Sequence, residues 1–575
     1  MKGMERRMEI TMRRFGAVLA ALAVALAVTV CANVCAPAAW ADDGDDYNRT
    51  VTFKDVATGD TVNAYKLISF TSDSKGYTFL ESFKQYLASS DNPCQDGISS
   101  TMDDDALATW FQARSAEEVR LVLKGYMNKW GEGAGLYARP AVAKSASASA
   151  TANPSISFEP GYYLVMPTTA ADNSKLYNPL SVFVKADGAS SVVTAAGAQD
   201  ATRGDIEVTM KSEDGPAIEK YLKRANGDLR RTQTVQVGET VTYVVKLAFP
   251  GYDSMGNPEF VLHDAMSHAA YVEDSVAVYG AGADGSIDMS AAIDGAVGTV
   301  VAGAYADGSQ ELTFPLNYGK MGAAQGVQKT VYVVYQAIVE SDILLAADGN
   351  GKYSGTNSAY LSYRTTADAA QSSQTNASSA SIYTFSFDLS KLNAQGNALS
   401  GATFQLLDNA GDVVKFVQVG TGADAYYTPD PAGTLEVLSA NCGANGNELD
   451  VRGIDASKVY LVREVAAPAG YYGPNGDFKL ELQTGKDGDE HTGNLAGVQT
   501  CFASSIADDA AAAAADNALI VSQAPDKATY KVQLKNSTTP SLPTTGGAGI
   551  VAMSVAGVVL MVAAGAFLVM RRKKR

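Results

Sequence analysis

The chain has 575 residues, with 62 acidic side chains against 45 basic ones and a formal net charge of −17. This balance argues against nucleic-acid binding, which draws its affinity from a basic face, and it favours solubility outside the cell. Five cysteines in this length do not make a disulfide-dense scaffold.

A secretory signal peptide is predicted over residues 1–41. Four arginines precede an apolar stretch at about 15–34, and small residues follow, ending in an Ala-x-Ala site at Ala41. This order is typical of a signal that is removed from the mature protein. Two of the five cysteines would leave with it. The exported chain is then long enough for about three domains.

The first domain is predicted over residues 42–205, as short β-strands with a helical insertion. Apolar residues recur at helical spacing over 104–130, namely Leu107, Trp110, Phe111, Val119, Val122, Leu123 and Tyr126. Residues 145–155 are small and polar and are predicted to form a loop, as are residues 366–381 farther along. This domain shows no inward-facing lysine matched by a late asparagine, so no internal crosslink is predicted here.

The middle domain is predicted over residues 206–380, again as short strands separated by turn residues. Successive side chains of a strand point to opposite faces, and three polar residues fall on apolar faces here. Lys220 shares a face with Ile218 and Leu222. Asp264 alternates with Phe260 and Leu262, and Asn357 alternates with Ala359 and Leu361.

The third domain is predicted over residues 381–540 and repeats this pattern. Lys391 follows Phe385, Phe387 and Leu389 on one face of a strand. Glu464 lies on the face of Tyr460 and Val462, and Asn536 lies on the face of Val532 and Leu534. A lysine, a carboxylic acid and an asparagine thus point inward together. Whether Cys442 and Cys501 of this domain pair is left open.

Each of these groups would be costly to bury alone, but together they can react. Burial lowers a lysine pKa and raises a carboxyl pKa, which gives a neutral amine and a protonated acid that polarises the amide. Folding replaces a bimolecular reaction by an intramolecular one. The expected products are the isopeptide bonds Lys391–Asn536 and Lys220–Asn357, each formed with loss of ammonia.

The third domain resembles a Cna B-type domain of sortase-assembled pilins. The resemblance rests on Lys391, on the run 399–404 (LSGATF), on Glu464 within 460–471 (YLVREVAAPAGY) and on the late Asn536. It implies an immunoglobulin-like β-sandwich with an isopeptide bond, in which Glu464 is the promoting acid. The family often has Thr after this Glu, where the chain has Val465.

The middle domain is similar to the central domain of pilin backbone subunits, through residues 238–243 (GETVTY) and the set Lys220, Asp264 and Asn357. The resemblance implies that Asp264 is the promoting acid here. Backbone subunits also carry an acceptor lysine in a V-x-V-Y-P-K motif at the end of the first domain. Residues 206–211 (IEVTMK) stand at the corresponding place, which makes Lys211 the expected acceptor although Tyr-Pro is replaced by Thr209-Met210.

The C-terminal segment 541–575 is predicted to be a sorting signal. Residues 548–570 are apolar and uncharged, long enough to span a bilayer as a helix, and the basic tail 571–575 would stay on the cytoplasmic side. The pentapeptide before this run resembles the signal that a sortase cuts between Thr and Gly. By that resemblance, Thr545 is joined to a wall or pilus amine. The pentapeptide is Leu542, Pro543, Thr544, Thr545 and Gly546.

These features predict a mainly β chain of tandem immunoglobulin-like sandwich domains that acts as a structural subunit of a covalent, cell-wall-anchored pilus. Its expected partners are a sortase, identical subunits joined head to tail, and peptidoglycan. The alternative is a wall-anchored adhesin or an ancillary tip or base pilin that binds a host receptor. The three histidines show no ligand spacing and no nucleophile motif accompanies them, so no metal, cofactor or enzymatic turnover is predicted beyond self-crosslinking.

Overall fold

The computed structural model describes residues 47–70, 76–130, 137–170, 175–185, 196–250, 259–304, 309–325, 329–345, 352–364, 372–474, 476–503, 505–506, 519–522 and 528–539. The chain divides into two units, Met1–Asn48 and Arg49–Arg575, and the elements below belong to the second. The predicted signal peptide, the LPTTG motif and the apolar run lie outside the described residues. Within the described ranges, no helix is long and apolar enough to cross a membrane.

The N-terminal part combines short strands with three helices. In chain order these are β1 (Arg49–Lys54), β2 (Thr61–Phe70), β3 (Tyr77–Phe79), α1 (Glu81–Leu87), α2 (Asp104–Gln112), α3 (Ala116–Asn128), β4 (Lys144–Ser147), β5 (Ser155–Phe158), β6 (Gly161–Thr168), β7 (Lys175–Tyr177), β8 (Leu180–Val184), β9 (Gln199–Asp200), β10 (Ile206–Thr209) and β11 (Ser212–Asp214).

The helical insertion predicted for this part is confirmed, and its local sequence explains it. Asp103 caps α2 by accepting a hydrogen bond from the Ala106 N–H, and Ser115 forms a capping box with Glu118 at the start of α3. The apolar faces of the helices pack against β2 and β6 around the buried Trp130. A second core lies among β1, β5, β6, β8 and β10.

Three sheets organise the N-terminal part. One has the order β10-β1-β5, another the order β3-β2-β6-β8-β9 with β4 added to β2, and β11 pairs with β7. The predicted boundary at 205 falls just before β10, which runs parallel to β1 and pairs with it.

The middle part consists almost wholly of strands. They are β12 (Ala217–Lys223), β13 (Leu229–Arg230), β14 (Thr232–Thr234), β15 (Thr240–Phe249), β16 (Phe260–Met266), β17 (Ala269–Tyr271), β18 (Ala277–Ala281), β19 (Ile287–Ala292), β20 (Val301–Ala304), β21 (Gln310–Leu316), β22 (Lys329–Val339), β23 (Tyr353–Arg364) and β24 (Ser372–Gln374), with α4 (Tyr318–Gln325) and a 3-10 helix (Ser341–Leu345).

The third part continues with β25 (Ser378–Asn393), β26 (Thr403–Leu407), β27 (Phe416–Val419), β28 (Tyr426–Pro429), β29 (Leu438–Ser439), β30 (Glu448–Ile454), β31 (Val459–Ala466), β32 (Asp477–Asp487), β33 (Glu490–Ala503), β34 (Leu519–Ser522) and β35 (Thr529–Asn536), with a 3-10 helix (Gly422–Asp424).

Each of these two parts is a pair of packed sheets, which confirms the predicted sandwich class. The middle part places the sheet β13-β12-β15-β22-β18-β19 against β20-β21-β16-β23, and one apolar core fills the space between them. In the third part, β25, β30 and β35 face the sheet β29-β26-β31-β32-β33 across a second core.

A single long strand links the two parts. β25 pairs with β23 of the middle part over its first half and with β30 and β35 over its second half, so the predicted boundary at 381 falls inside it. Beside this strand, the Glu490 carboxylate accepts hydrogen bonds from the backbone N–H of Thr232 at 2.7 Å and of Arg231 at 3.0 Å. Strand pairing and a half-buried carboxylate therefore both tie the third part to the middle part.

Two predicted loops are partly wrong. Within 145–155, β4 pairs with β2, and within 366–381, β24 and the start of β25 pair with β23. The residues are small and largely exposed, so the strands are held by backbone hydrogen bonds. A hydrophobic pattern does not reveal a strand of that kind.

Candidate functional site

The alternation of β25 carries Lys391 into the core of the third part. Phe387 and Leu389 are fully buried on the same face, and Lys391 itself is 0 % exposed. β35 runs parallel beside β25, with Lys391 opposite Leu534 and Asn393 opposite Asn536. Asn536 is therefore a diagonal neighbour of Lys391 in the same sheet.

Glu464 reaches this pair from β31 of the facing sheet. Lys391 Nζ lies 2.9 Å from Glu464 Oε2 and also donates to Asn536 Oδ1. Asn536 Nδ2 donates to Glu464 Oε1 at 2.9 Å. One carboxylate thus contacts both the amine and the amide nitrogen, and only 5 % of its side chain is exposed.

Burial controls the protonation of this lysine. It lowers the pKa of Lys391 to about 8, although the charge of Glu464 and its hydrogen bond act in the opposite direction. The neutral amine, which is the form that can attack a carbonyl carbon, is therefore far more populated near neutral pH than in an ordinary lysine.

The middle part contains a second buried set. Lys220 lies on β12 of one sheet, whereas Asp264 on β16 and Asn357 on β23 belong to the facing sheet. Their exposed fractions are 0 %, 1 % and 0 %. A bond between Lys220 and Asn357 would cross from one sheet to the other, whereas Lys391 and Asn536 are neighbours within one sheet.

Lys220 Nζ donates to Asp264 Oδ2 in this centre, and it lies 5.1 Å and 5.2 Å from the ring centroids of Tyr243 and Tyr335. Burial lowers the pKa of Lys220 from its usual value, against the attraction of Asp264. The backbone N–H of Lys220 donates to Ser378 Oγ at 2.9 Å, which joins β12 to the beginning of β25.

Sequence reasoning missed the fourth member of this centre, Tyr335. Its hydroxyl lies 2.7 Å from Lys220 Nζ, 2.6 Å from Asp264 Oδ2 and 2.8 Å from Asn357 Nδ2. The signal was available in the sequence, because Tyr335 alternates with Val331 and Val333 in β22 and so had to face the core.

Two oxygens of the middle centre are buried without a hydrogen-bond partner among the described residues. They are Asp264 Oδ1 and Asn357 Oδ1. A buried acceptor left unpaired costs about 1–3 kcal/mol, so a hydrogen-bond donor that reached either oxygen would stabilise this arrangement.

Lys211 lies apart from both centres. It follows β10 and precedes β11, its side chain is exposed, and its backbone carbonyl accepts a hydrogen bond from the Asn178 N–H at 2.9 Å. The neighbouring Met210 is buried, with 1 % exposed. Local alternation therefore turns the Lys211 amine outward.

The three cysteines in the described part of the chain are free. Cys442 is buried and Cys501 is half-buried, which answers the question that the sequence left open about their pairing. The histidines lie apart: His263 contacts Ser362, and His491 contacts Thr484. Within the described ranges, no group of side chains has the composition of a metal site.

The predicted sorting residues 542–546 lie outside the described ranges, but the chain that leads to them is described as far as residue 539. Beyond Asn536, Ser537 forms an antiparallel bridge with Tyr472, in which the Tyr472 N–H donates to the Ser537 carbonyl at 2.8 Å. The last described residue is Thr539.

Two family models match the C-terminal half of the chain. A prealbumin-like fold domain of the SpaA type matches residues 385–495, and an LPXTG cell wall anchor motif matches residues 534–575. No curated protein matches the chain.

Several solved structures are similar in outline. The T6 backbone pilin of serotype M6 Streptococcus pyogenes is 15% identical with a TM-score of 0.47, and the match covers 86% of this chain and 100% of that one. The major pilin SpaD of Corynebacterium diphtheriae is 14% identical with a TM-score of 0.43, over 86% and 99% of the two chains. The major pilin SpaA of the same species is 12% identical with a TM-score of 0.40, over 85% and 99%. These overlaps are too loose to assign a function to this chain.

The C-terminal anchor makes the chain a cell-wall-anchored surface protein. Its third part is a prealbumin-like domain of the SpaA type. The two family matches fall on the same half of the chain whose motifs carried the resemblance.

Proposed function

We propose that the chain is the backbone subunit of a covalent pilus, polymerised by a sortase and stiffened by two internal isopeptide bonds. One observation carries the proposal: a lysine, a carboxylic acid and an asparagine are buried together twice, in a chain that ends in an LPXTG anchor. Such groups have no reason to share a core unless they react or pair, because each is costly to bury alone.

The reaction in the third domain needs only groups that are already in contact. The neutral Lys391 Nζ attacks Cγ of Asn536, the Nζ–Cγ bond forms and the Cγ–Nδ2 bond breaks. One proton passes from Nζ to Nδ2, which leaves as ammonia. Glu464 contacts both nitrogens and can carry that proton. The step is a self-modification that happens once, not an enzymatic turnover.

The same reaction in the middle domain would join Lys220 to Asn357. Once Asp264 has taken up the Lys220 proton, it could donate a hydrogen bond to the amide oxygen, which would polarise Cγ and would also give a partner to the oxygens that are now unpaired. The bond would link the two sheets of the sandwich, so the sheets could not slide apart when the subunit is pulled.

The proposal is tested on the wall fraction of the native host by a boiled SDS immunoblot. A ladder of high-mass species is expected, because covalently joined subunits survive boiling. A single band near the monomer mass would contradict the backbone role and would favour the solitary wall-anchored adhesin.

Replacing Asp264 with alanine is expected to abolish the Lys220–Asn357 bond while the bond in the third domain still forms. The acid that accepts the Lys220 proton is lost, and the buried amine is left without its charged partner. Tryptic peptide mapping of the soluble fragment decides the outcome. Asp342→Ala is the matched control, since this acid of the same domain pairs with His268. Recovery of Lys220 in an ordinary linear peptide of the wild type would rule out this pair.

A further inference from the structure

The hydroxyl of Tyr335 occupies the middle of the reacting groups in the middle domain. A hydroxyl has one proton to donate and two lone pairs to accept with, and all three are used here. It donates to Asp264 Oδ2 and accepts from Lys220 Nζ and Asn357 Nδ2. Tyr335 is fully buried, as are the residues that it contacts.

The third domain shows why the middle domain needs this hydroxyl. There, the two oxygens of Glu464 reach both reacting nitrogens directly. Asp264 has a side chain one methylene shorter, and its contacts among the described residues run from Oδ2 to Lys220 and Tyr335. The amide nitrogen of Asn357 instead meets Tyr335. Tyr335 therefore spans the gap between the acid and the leaving group.

We propose that Tyr335 is a catalytic residue of the middle-domain crosslink, which passes a proton from Asp264 to the departing Nδ2 of Asn357. This inference rests on the proposed isopeptide chemistry and adds a group that the resemblance does not supply. Asp264 takes a proton from Lys220 Nζ as the amine attacks Cγ. Tyr335 gives its own proton to Nδ2 and takes the one held by Asp264. The Nζ–Cγ bond forms, the Cγ–Nδ2 bond breaks, ammonia leaves, and both Tyr335 and Asp264 end as they began.

The surroundings keep this hydroxyl protonated and in place. Burial and the charge of Asp264 raise the pKa of Tyr335 well above its usual value, so the group retains a proton to give. Its ring packs 5.6 Å from the ring of Tyr243 and 5.3 Å from that of Phe314, measured between centroids. The relay needs no water, because each pair of atoms that exchanges a proton is already in hydrogen-bond contact. The Tyr335–Asp264 and Asn357–Tyr335 hydrogen bonds reverse their direction once Asp264 holds the Lys220 proton and Nδ2 has a free lone pair in the tetrahedral intermediate.

The first test removes the hydroxyl and keeps the ring. The full-length chain is made by cell-free translation, samples are quenched at intervals, and the Lys220–Asn357 bond is followed by peptide mass. Tyr335→Phe is expected to slow this bond by about 100-fold or more, the usual range for a lost general acid, with the third-domain bond unaffected. Tyr271→Phe is the matched control, since its ring lies 6.0 Å from Tyr335 in the same core. Bond formation at the wild-type rate in Tyr335→Phe would overturn the proposal.

The second test separates proton transfer from simple positioning and also serves if Tyr335→Phe fails to fold. Tyr335→3,5-difluorotyrosine at this one position keeps the hydroxyl and its contacts but makes it a stronger acid. The pH dependence of the bond-forming rate is expected to shift to lower pH. A rate equal to wild type at every pH would overturn the relay and leave Tyr335 a spacer. A wild-type chain without any Lys220–Asn357 bond would instead refute the proposed crosslink itself, which is a distinct result.

Discussion

Replacing Glu464 with alanine is expected to remove one of the two ammonia losses of the soluble fragment and to lower its thermal stability severely. Lys391 would stay buried with no carboxylate beside it, and breaking a buried ion pair in this way costs about 3–5 kcal/mol. The lost bond would also free a chain segment, because Lys391 and Asn536 are 145 residues apart. By analogy with disulfides, a crosslink that closes a loop of this length adds about 5 kcal/mol to the free energy of unfolding.

These two costs act on the same domain and are not strictly additive, but either alone is large. At about 2–4 °C per kcal/mol for a domain of this size, the melting temperature of the third domain is expected to fall by at least about 10 °C. Intact mass and differential scanning calorimetry measure the two effects on one sample.

Two further variants make this experiment specific. Glu464→Gln keeps the shape and hydrogen-bonding capacity of the side chain but cannot take up the amine proton, so the bond should again be absent. Glu481→Ala removes another acid of the same sheet, on β32, that is placed away from Lys391, and its mass deficit should equal that of wild type. An unchanged ammonia loss in Glu464→Ala would exclude Glu464 as the promoting acid.

The period-two alternation of strands is what made the buried sets predictable. Lys391 and Asn536 interrupt apolar runs at positions that must face the core, and the structure buries both, at 0 % and 2 % exposure. The same rule places Lys220 and Asn357 inside. Alternation is a local property, so it can be read from a few residues without knowledge of the tertiary fold.

The relations between strands distant in sequence could not be obtained in this way. Alternation shows that Lys220 and Lys391 point inward, but it does not show where their asparagine partners lie. Asn357 is in the sheet that faces Lys220, whereas Asn536 is in the same sheet as Lys391. Tyr335 was overlooked for a related reason: an inward tyrosine reads as ordinary core, and only the fold brings its hydroxyl to three polar partners.

The connection between the middle and third parts was also hidden from the sequence. β25 is one uninterrupted strand that contributes to both cores, and no glycine or proline marks the point at which its partners change. Glu490 reads as a solvent-exposed acid in a polar hairpin, yet it binds the backbone of Thr232, which precedes it by 258 residues. A contact between residues so far apart in sequence depends on how all the intervening strands are arranged, and a local sequence pattern does not show this.

Replacing Lys211 with alanine is expected to erase the high-mass ladder while leaving the fold and both internal bonds intact. Lys211 is exposed and belongs to neither buried centre, so its loss should cost little stability, within about 0.5 kcal/mol. The proposed polymer joins Thr545 of one subunit to the Lys211 amine of the next, and without that amine the acyl-enzyme has no acceptor at this place. The immunoblot of the wall fraction reads the ladder, and intact mass reads the internal bonds.

The control for this variant is Lys175→Ala, because Lys175 is a partly exposed lysine on β7, and β7 pairs with β11 just after Lys211. The ladder should persist in it. A ladder that persists in Lys211→Ala and vanishes in Lys175→Ala would identify Lys175, on the neighbouring strand, as the acceptor. A ladder that persists in both variants would show that the acceptor lysine is on another surface.

The length of the tail limits where such a joint can form. Thr545 is six residues beyond Thr539, where the described chain ends close to the bridge between Tyr472 and Ser537. Six extended residues span at most about 20 Å, so the end of the third domain must approach the Lys211 surface of the next subunit within that distance. The two surfaces lie on different domains of the same chain, so the proposed contact is heterologous, and it repeats into an open polymer when its rotation does not close a ring. A filament is the assembly that such a contact produces.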